Sequence, residues 1–179
     1  MKATPREIRL IVSDLDGVWT DGKIIYSGDA REIKEFNVRD GLGVKLAQAA
    51  GIEVAVLTSR RSKAVERRCR ELGIHRVVQG AADKTAEMKQ MAKEAELPLA
   101  AVLYVGDDLP DLGPMHAAGL SAAPADAAPE VVELADWKLA AAGGRGAVRE
   151  LIERLLRERG EWASVLERFH GSKIEVTGV

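Results

Sequence analysis

At 179 residues the chain has the length of one ordinary domain, enough to bury a full core without disulfides or a structural metal. Its net charge is -2 with both signs interspersed, so there is no basic stripe for nucleic acid, and no apolar run approaches the ~20 residues of a membrane span. The single cysteine, Cys69, excludes an internal disulfide, and residues 1–9 lack the apolar core of a signal peptide; a soluble protein of the reducing cytoplasm is expected.

Residues 8–12 are the first apolar run, and Asp14-Leu15-Asp16-Gly17 follows it. In a strand, side chains i and i+2 share a face, so Asp14 and Asp16 leave the strand end together while Gly17 lets the backbone turn behind them. Two flanking segments, 23–26 and 31–36, surround Ser27-Gly28-Asp29-Ala30, which predicts a hairpin over 23–38 turning at Gly28-Asp29. Ile24, Tyr26, Ile33 and Phe36 would give that flap an apolar face. Asp40 can then cap a helix ending before Gly51, and residues 52–57 form the second strand, ending at Thr58. Ser59 can cap the next helix, which holds Cys69 and ends before Gly73. Cys69 has no Cys or His partner at ligand spacing and is assigned a structural role. Strands over 75–78, 101–105 and 120–123 follow, separated by a helix that Asp83 can cap and that Lys84 opens. A Gly143-Gly144-Arg145-Gly146 loop precedes a helix from Ala147. Trp162, Val165, Leu166 and Phe169 lie near helical spacing in a 160–179 tail with a short helix and a frayed end, outside a main domain over 1–159. Each internal run is too short and too continuous to be half exposed, so the chain predicts an α/β fold: a parallel sheet covered by helices.

In such sheets ligands bind beyond the carboxyl ends of the strands, where Asp14, Thr58 and Asp107 would stand. A hydroxyl at Thr58 and an ammonium at Lys84 can hold phosphoryl oxygens, Asp107 can complete an oxygen site for Mg²⁺, and Asp108 and Asp111 would support it. So many carboxylates at one sheet edge make electrostatic sense only around a divalent cation.

Asp14-x-Asp16-Gly17-x-x-Thr20-Asp21-Gly22, then Thr58, Lys84 and Gly106-Asp107-Asp108-x-x-Asp111, resemble the haloacid dehalogenase superfamily of phosphatases over almost the whole chain. Neither the interval from Gly22 to Gly41 nor that from Thr58 to Lys84 holds a cap domain, which resembles the capless subgroup. Within it, residues 36–43 and 143–150 resemble the 3-deoxy-D-manno-octulosonate 8-phosphate phosphatases. The resemblance implies a Rossmann-like fold, with Asp14 as nucleophile forming an aspartyl phosphate and Asp16 as proton donor and acceptor. It implies Mg²⁺ held by Asp14, the Asp16 backbone carbonyl and Asp107, with Thr58 and Lys84 on the phosphoryl oxygens. Thr58-Ser59-Arg60 stands where the family usually reads Thr-Gly-Arg, and Arg60 can pair with a sugar carboxylate. The implied partner is a small phosphorylated sugar acid, and the implied assembly is a homotetramer whose hairpins and tails complete neighbouring sites. Two alternatives remain open at this point: a nononate 9-phosphate or other small sugar phosphate as substrate, and a phospho-accepting receiver domain, which also clusters aspartates, a threonine and a lysine on a parallel sheet.

Overall fold

The computed structural model describes residues 3–28 and 32–170. In chain order it contains β1 (Leu10–Ser13), β2 (Ile25–Tyr26), β3 (Glu32–Ile33), α1 (Val38–Ala49), β4 (Glu53–Thr58), α2 (Lys63–Leu72), β5 (Arg76–Gln79), α3 (Lys84–Glu94), β6 (Val102–Val105), α4 (Leu112–Ala117), β7 (Leu120–Ala123), α5 (Pro129–Leu134), β8 (Trp137–Lys138), α6 (Ala147–Arg159) and α7 (Trp162–His170). Six strands form one parallel sheet in the order β5-β4-β1-β6-β7-β8. β1 is central because all four of its residues are buried and both its edges are paired, which a continuous apolar run requires.

Alternate side chains of these strands feed two cores, as the two-residue period demands. Ile11, Val54, Val56, Leu103 and Val105 pack with α1, α2 and α6, whereas Leu10, Val12, Ala55, Leu57, Val102 and Tyr104 pack with α3, α4 and α5. From β1 the chain moves to β4 and β5 on one side, then returns to β6 on the other. The order therefore reverses beside β1, and the carboxyl ends of β1 and β6 flank the switch point where ligands bind in such folds.

The fold is Rossmann-like, with no cap domain among the described residues: a hairpin occupies the chain between β1 and α1, and α2 and β5 fill the stretch between Thr58 and Lys84. β2 and β3 pair antiparallel, Ile25 with Ile33 and Tyr26 with Glu32. Asp29, half of the expected turn, lies outside the described residues. No described helix is long and apolar enough to cross a membrane.

Several local expectations are corrected. Asn37, not Asp40, caps α1, accepting from the Arg39 N–H at 2.9 Å. Asp40 instead turns across to α6, where its Oδ1 accepts from the Arg149 N–H at 2.7 Å. The helix that begins after Gly146, which has no side chain to cap it, thus receives its carboxylate from another helix. α2 begins at Lys63 behind Ser62, leaving Ser59 in the exposed turn before it. Asp83 does cap α3, accepting from Ala86 N–H at 3.0 Å. Phe36 leaves the flap face and packs on the core with α1. β8 has no counterpart in the sequence reading, since two residues carry no periodicity. α7 covers part of the core through Val165, while Trp162 lies beneath the guanidinium of Arg157 at 4.7 Å. The Phe169 side chain and the expected frayed end fall outside the described residues.

Candidate active site

The Asp14 N–H donates to the Val105 carbonyl at 2.9 Å, which carries the β1–β6 register one residue past the strand and sets Asp14 beside the Gly106-Asp107 turn. Asp14, Asp107 and Asp111 bring carboxylate oxygens within 4.8 Å of one another. Lys84, at the first turn of α3, reaches into this cluster with its ammonium 2.8 Å from Asp14 and 2.7 Å from Asp111. Asp111 also accepts from the Tyr104 hydroxyl at 2.7 Å and from the backbone N–H groups of Asp107 and Asp108 at 3.1 and 3.3 Å. Both its oxygens are therefore occupied, and it serves as the hub that orients Lys84 and the β6–α4 turn. Asp108 points elsewhere: it is exposed and caps the turn of 3-10 helix that follows, accepting from Leu109 N–H at 2.8 Å.

Gly17, at φ +89°, sits where a Cβ would run into the Asp107 carboxylate, so the two acidic turns meet only because that residue has no side chain. Gly143 in turn leaves no room for a Cβ against the Gly17 carbonyl, and Gly144 N–H donates to Val18 O at 3.0 Å, so the loop before α6 buttresses the Asp14–Gly22 turn from behind. Trp19 is a core residue here, and its indole N–H donates to Ser13 Oγ at 2.8 Å. Thr58 ends β4, buried, with its hydroxyl accepting from Arg60 N–H at 3.3 Å.

Asp16 is not among the three clustered carboxylates and ion-pairs with Lys34, from the chain just after β3. Arg60 lies 3.8 Å from the other Asp16 oxygen and 2.7 Å from Glu32 of β3. The Arg60 guanidinium that sequence reasoning reserved for a ligand carboxylate is thus held by a flap carboxylate, and the hydrogen bond it donates to Glu32 raises its pKa.

A family model described as haloacid dehalogenase-like hydrolase matches residues 37–119. The KdsC 3-deoxy-D-manno-octulosonate 8-phosphate phosphatase of Escherichia coli strain K12 is 43% identical over 159 residues, covering 89% of this chain and 85% of that protein. The chain belongs to the 3-deoxy-D-manno-octulosonate 8-phosphate phosphatase family of haloacid dehalogenase-like hydrolases. Among solved structures, the phosphatase of this family from Moraxella catarrhalis, in complex with magnesium, phosphate and KDO, superposes with a TM-score of 0.90 at 35% identity over 92% of this chain and 95% of that one. The cobalt-bound enzyme from Haemophilus influenzae gives 0.89 at 38% identity, covering 94% and 98%. Membership in this phosphatase family removes the receiver-domain alternative.

The family's divalent cation can be tested against the residues present. Burial, reinforced by Asp111, pushes Asp14 up to about 6, and burial together with Asp14 and Asp111 pushes Asp107 up to about 8. Desolvation pulls Lys84 down, but Asp14 and Asp111 outweigh it and leave its pKa raised. One ammonium therefore does not balance three clustered carboxylates, and Asp107 Oδ1 is buried without a hydrogen-bond partner. An all-oxygen donor set with surplus negative charge fits Mg²⁺. In a phosphatase of this family without the cation, both raised groups bind protons more tightly folded than unfolded. Their contribution to stability is complete below the unfolded value of 3.8 and is lost as pH rises through about 6 and about 8. Mg²⁺ must displace those protons, so it is expected to raise Tm more near about pH 9 than near about pH 5. Thermal melts with EDTA or Mg²⁺ at the two pH values check this, and an equal Mg²⁺ shift at both would contradict it.

Sequence reasoning missed Lys34, Glu32 and Tyr104. Glu32 and Lys34 are spaced two apart in a strand-like segment, which puts them on one face opposite Ile33; that alternation was the available signal. Tyr104 had none, since an aromatic in a buried strand reads as core.

Proposed function

We propose that the chain is a Mg²⁺-dependent phosphatase that hydrolyses 3-deoxy-D-manno-octulosonate 8-phosphate to the free sugar acid and inorganic phosphate, a step towards the inner sugar of lipopolysaccharide. The observation that carries this reading is the Asp14–Lys84–Asp111 chain set against Asp107 at the sheet's switch point. Asp14 attacks phosphorus, its new O–P bond forming as the bond to the sugar oxygen breaks, and Asp16 gives that oxygen a proton. Water then attacks the aspartyl phosphate, Asp16 takes a proton from it, and phosphate leaves with Asp14 restored. Thr58 and Lys84 hold the phosphoryl oxygens. Asp14, Asp107 and the Asp16 backbone carbonyl would hold Mg²⁺, with Asp108 and Asp111 outside that set; bound there, the cation neutralises charge that would otherwise repel the ester from the carboxylates. Arg60, beside Ser59, takes the sugar carboxylate by exchanging it for Glu32.

The same reading includes a homotetramer in the cytoplasm. Ile24, Ile25, Tyr26 and Ile33 are each between 44% and 64% exposed on the flap, a concentration of apolar surface that favours burial against other copies. The single Cys69, which has no second cysteine to pair with, agrees with a reducing compartment. A fully active monomer by light scattering would contradict the tetramer. The substrate is tested by phosphate release with Mg²⁺ from the octulosonate 8-phosphate beside a nononate 9-phosphate. Preference for the octulosonate by about tenfold or more in kcat/KM is expected, since one misplaced pocket group is worth about 1–3 kcal/mol. Equal or reversed rates would leave the chemistry and overturn the substrate.

A further inference from the structure

Lys34 belongs to an exposed flap, yet its side chain is only 2% exposed. It folds inward onto Asp16 Oδ1, with Glu32 at 3.4 Å from the same ammonium. Arg60 closes the circuit, at 2.7 Å from Glu32 and 3.8 Å from Asp16 Oδ2, so two acids and two bases alternate around a ring without net charge. Asp16 Oδ2 is buried and has no hydrogen-bond partner. The two oxygens of one carboxylate are thus treated differently: Oδ1 is hydrogen-bonded to the Lys34 ammonium, whereas Oδ2 has only the Arg60 guanidinium at 3.8 Å and no hydrogen bond. A buried polar atom without a partner costs about 1–3 kcal/mol unless it has another use.

We propose that Lys34 is a positioning residue for Asp16, pinning Oδ1 so that Oδ2 is the oxygen that exchanges the proton with the ester oxygen. The inference rests on the reading of Asp16 as proton donor. Asp16 follows a strand end and precedes a glycine turn, so nothing in its own segment fixes its side-chain torsions; the ion pair with Lys34 does. In the first step the P–O bond to the leaving group breaks while Asp14 bonds phosphorus, and the departing oxygen takes the proton from Asp16 Oδ2. In the second step Oδ2 recovers a proton from water. The neutral ring also explains why a lysine is tolerated beside Asp16: Glu32 shares its charge. It further ties the flap to the chemistry, because Glu32 and Lys34 lie on one face of the returning flap segment.

The test is kcat/KM across aryl phosphates whose leaving groups differ in basicity, since this constant reports phosphoryl transfer to Asp14 and a weakly basic leaving group needs little protonation. Lys34→Met is expected to lose about 10–100-fold on phenyl phosphate and no more than about threefold on 2,4-dinitrophenyl phosphate, because misplacing a reacting group by ~1 Å costs on that order. Lys34→Arg, which can still ion-pair, is expected to restore most of the phenyl phosphate activity. If Lys34→Met does not fold, Lys34→Gln is read on the same series. Equal losses on all esters would mean that Lys34 merely anchors the flap, and would overturn the inference. Asp16→Ala separates the two levels. If it discriminates between leaving groups while the Lys34 variants do not, only the role of Lys34 fails; if it does not discriminate either, the proton-donor reading fails and takes the inference with it.

Discussion

Asp14→Asn is expected to lower phosphate release by about 10⁴-fold or more, since removing a covalent nucleophile takes away the whole two-step route. Its fold should survive. Asp14 is buried with its pKa raised by desolvation, so an amide of the same shape removes a charge that the interior disfavours, and Lys84 keeps Asp111 as partner. In EDTA the variant should therefore melt at or above the wild-type temperature, while its gain in Tm from Mg²⁺ shrinks because one carboxylate ligand is gone. Circular dichroism melts alongside steady-state assays check both parts. A folded variant that kept a tenth of the activity would contradict the assignment.

Lys84→Met should harm stability and chemistry together. The Lys84 side chain is 6% exposed and its ammonium sits between two buried carboxylates, so the variant leaves the three clustered acids without that cation. Breaking a buried pair by deleting one partner costs about 3–5 kcal/mol. Losing one preorganised cation at the transferring group costs a further ~10²–10³ in kcat. The two losses can be told apart by Mg²⁺: the surplus carboxylate charge should bind the cation more tightly, so saturating Mg²⁺ should restore much of the lost stability in urea melts without restoring kcat. Recovery of both would mean that Lys84 only balances charge. Loss of neither would contradict its place in the site.

What the sequence made legible was local. Each internal strand of the parallel sheet is a short apolar run, and the candidate site residues sit at its end or at the next helix start, so Asp14, Thr58 and Asp107 could be placed at one sheet edge from the strand ends, while Lys84 gained its role only as a member of the motif set. Strand bounds slipped by a residue or two, with β1 found at Leu10–Ser13 against 8–12, because apolar character marks burial and not the ladder. What escaped was pairing between distant segments. Asp40 looked like the cap of its own helix, yet its partner is Arg149, more than a hundred residues on. Lys34 reads in sequence only as part of the hairpin segment, and its ion pair with Asp16 follows from how the flap folds back. Tyr104 reads only as part of the 101–105 strand, and its hydroxyl donates to Asp111 across the turn. A single chain shows which residue types are present, but these three roles come from tertiary packing that no local pattern encodes.

Asp14 is expected to carry the phosphoryl group during turnover. The most direct test is to mix the Mg²⁺-loaded protein with octulosonate 8-phosphate, quench in acid within the first turnover, and map the peptides by mass spectrometry. A phosphoryl group on the peptide that contains Asp14, absent from Asp14→Asn, is predicted. Turnover with no phosphorylated peptide, or with the group on another residue, would contradict it.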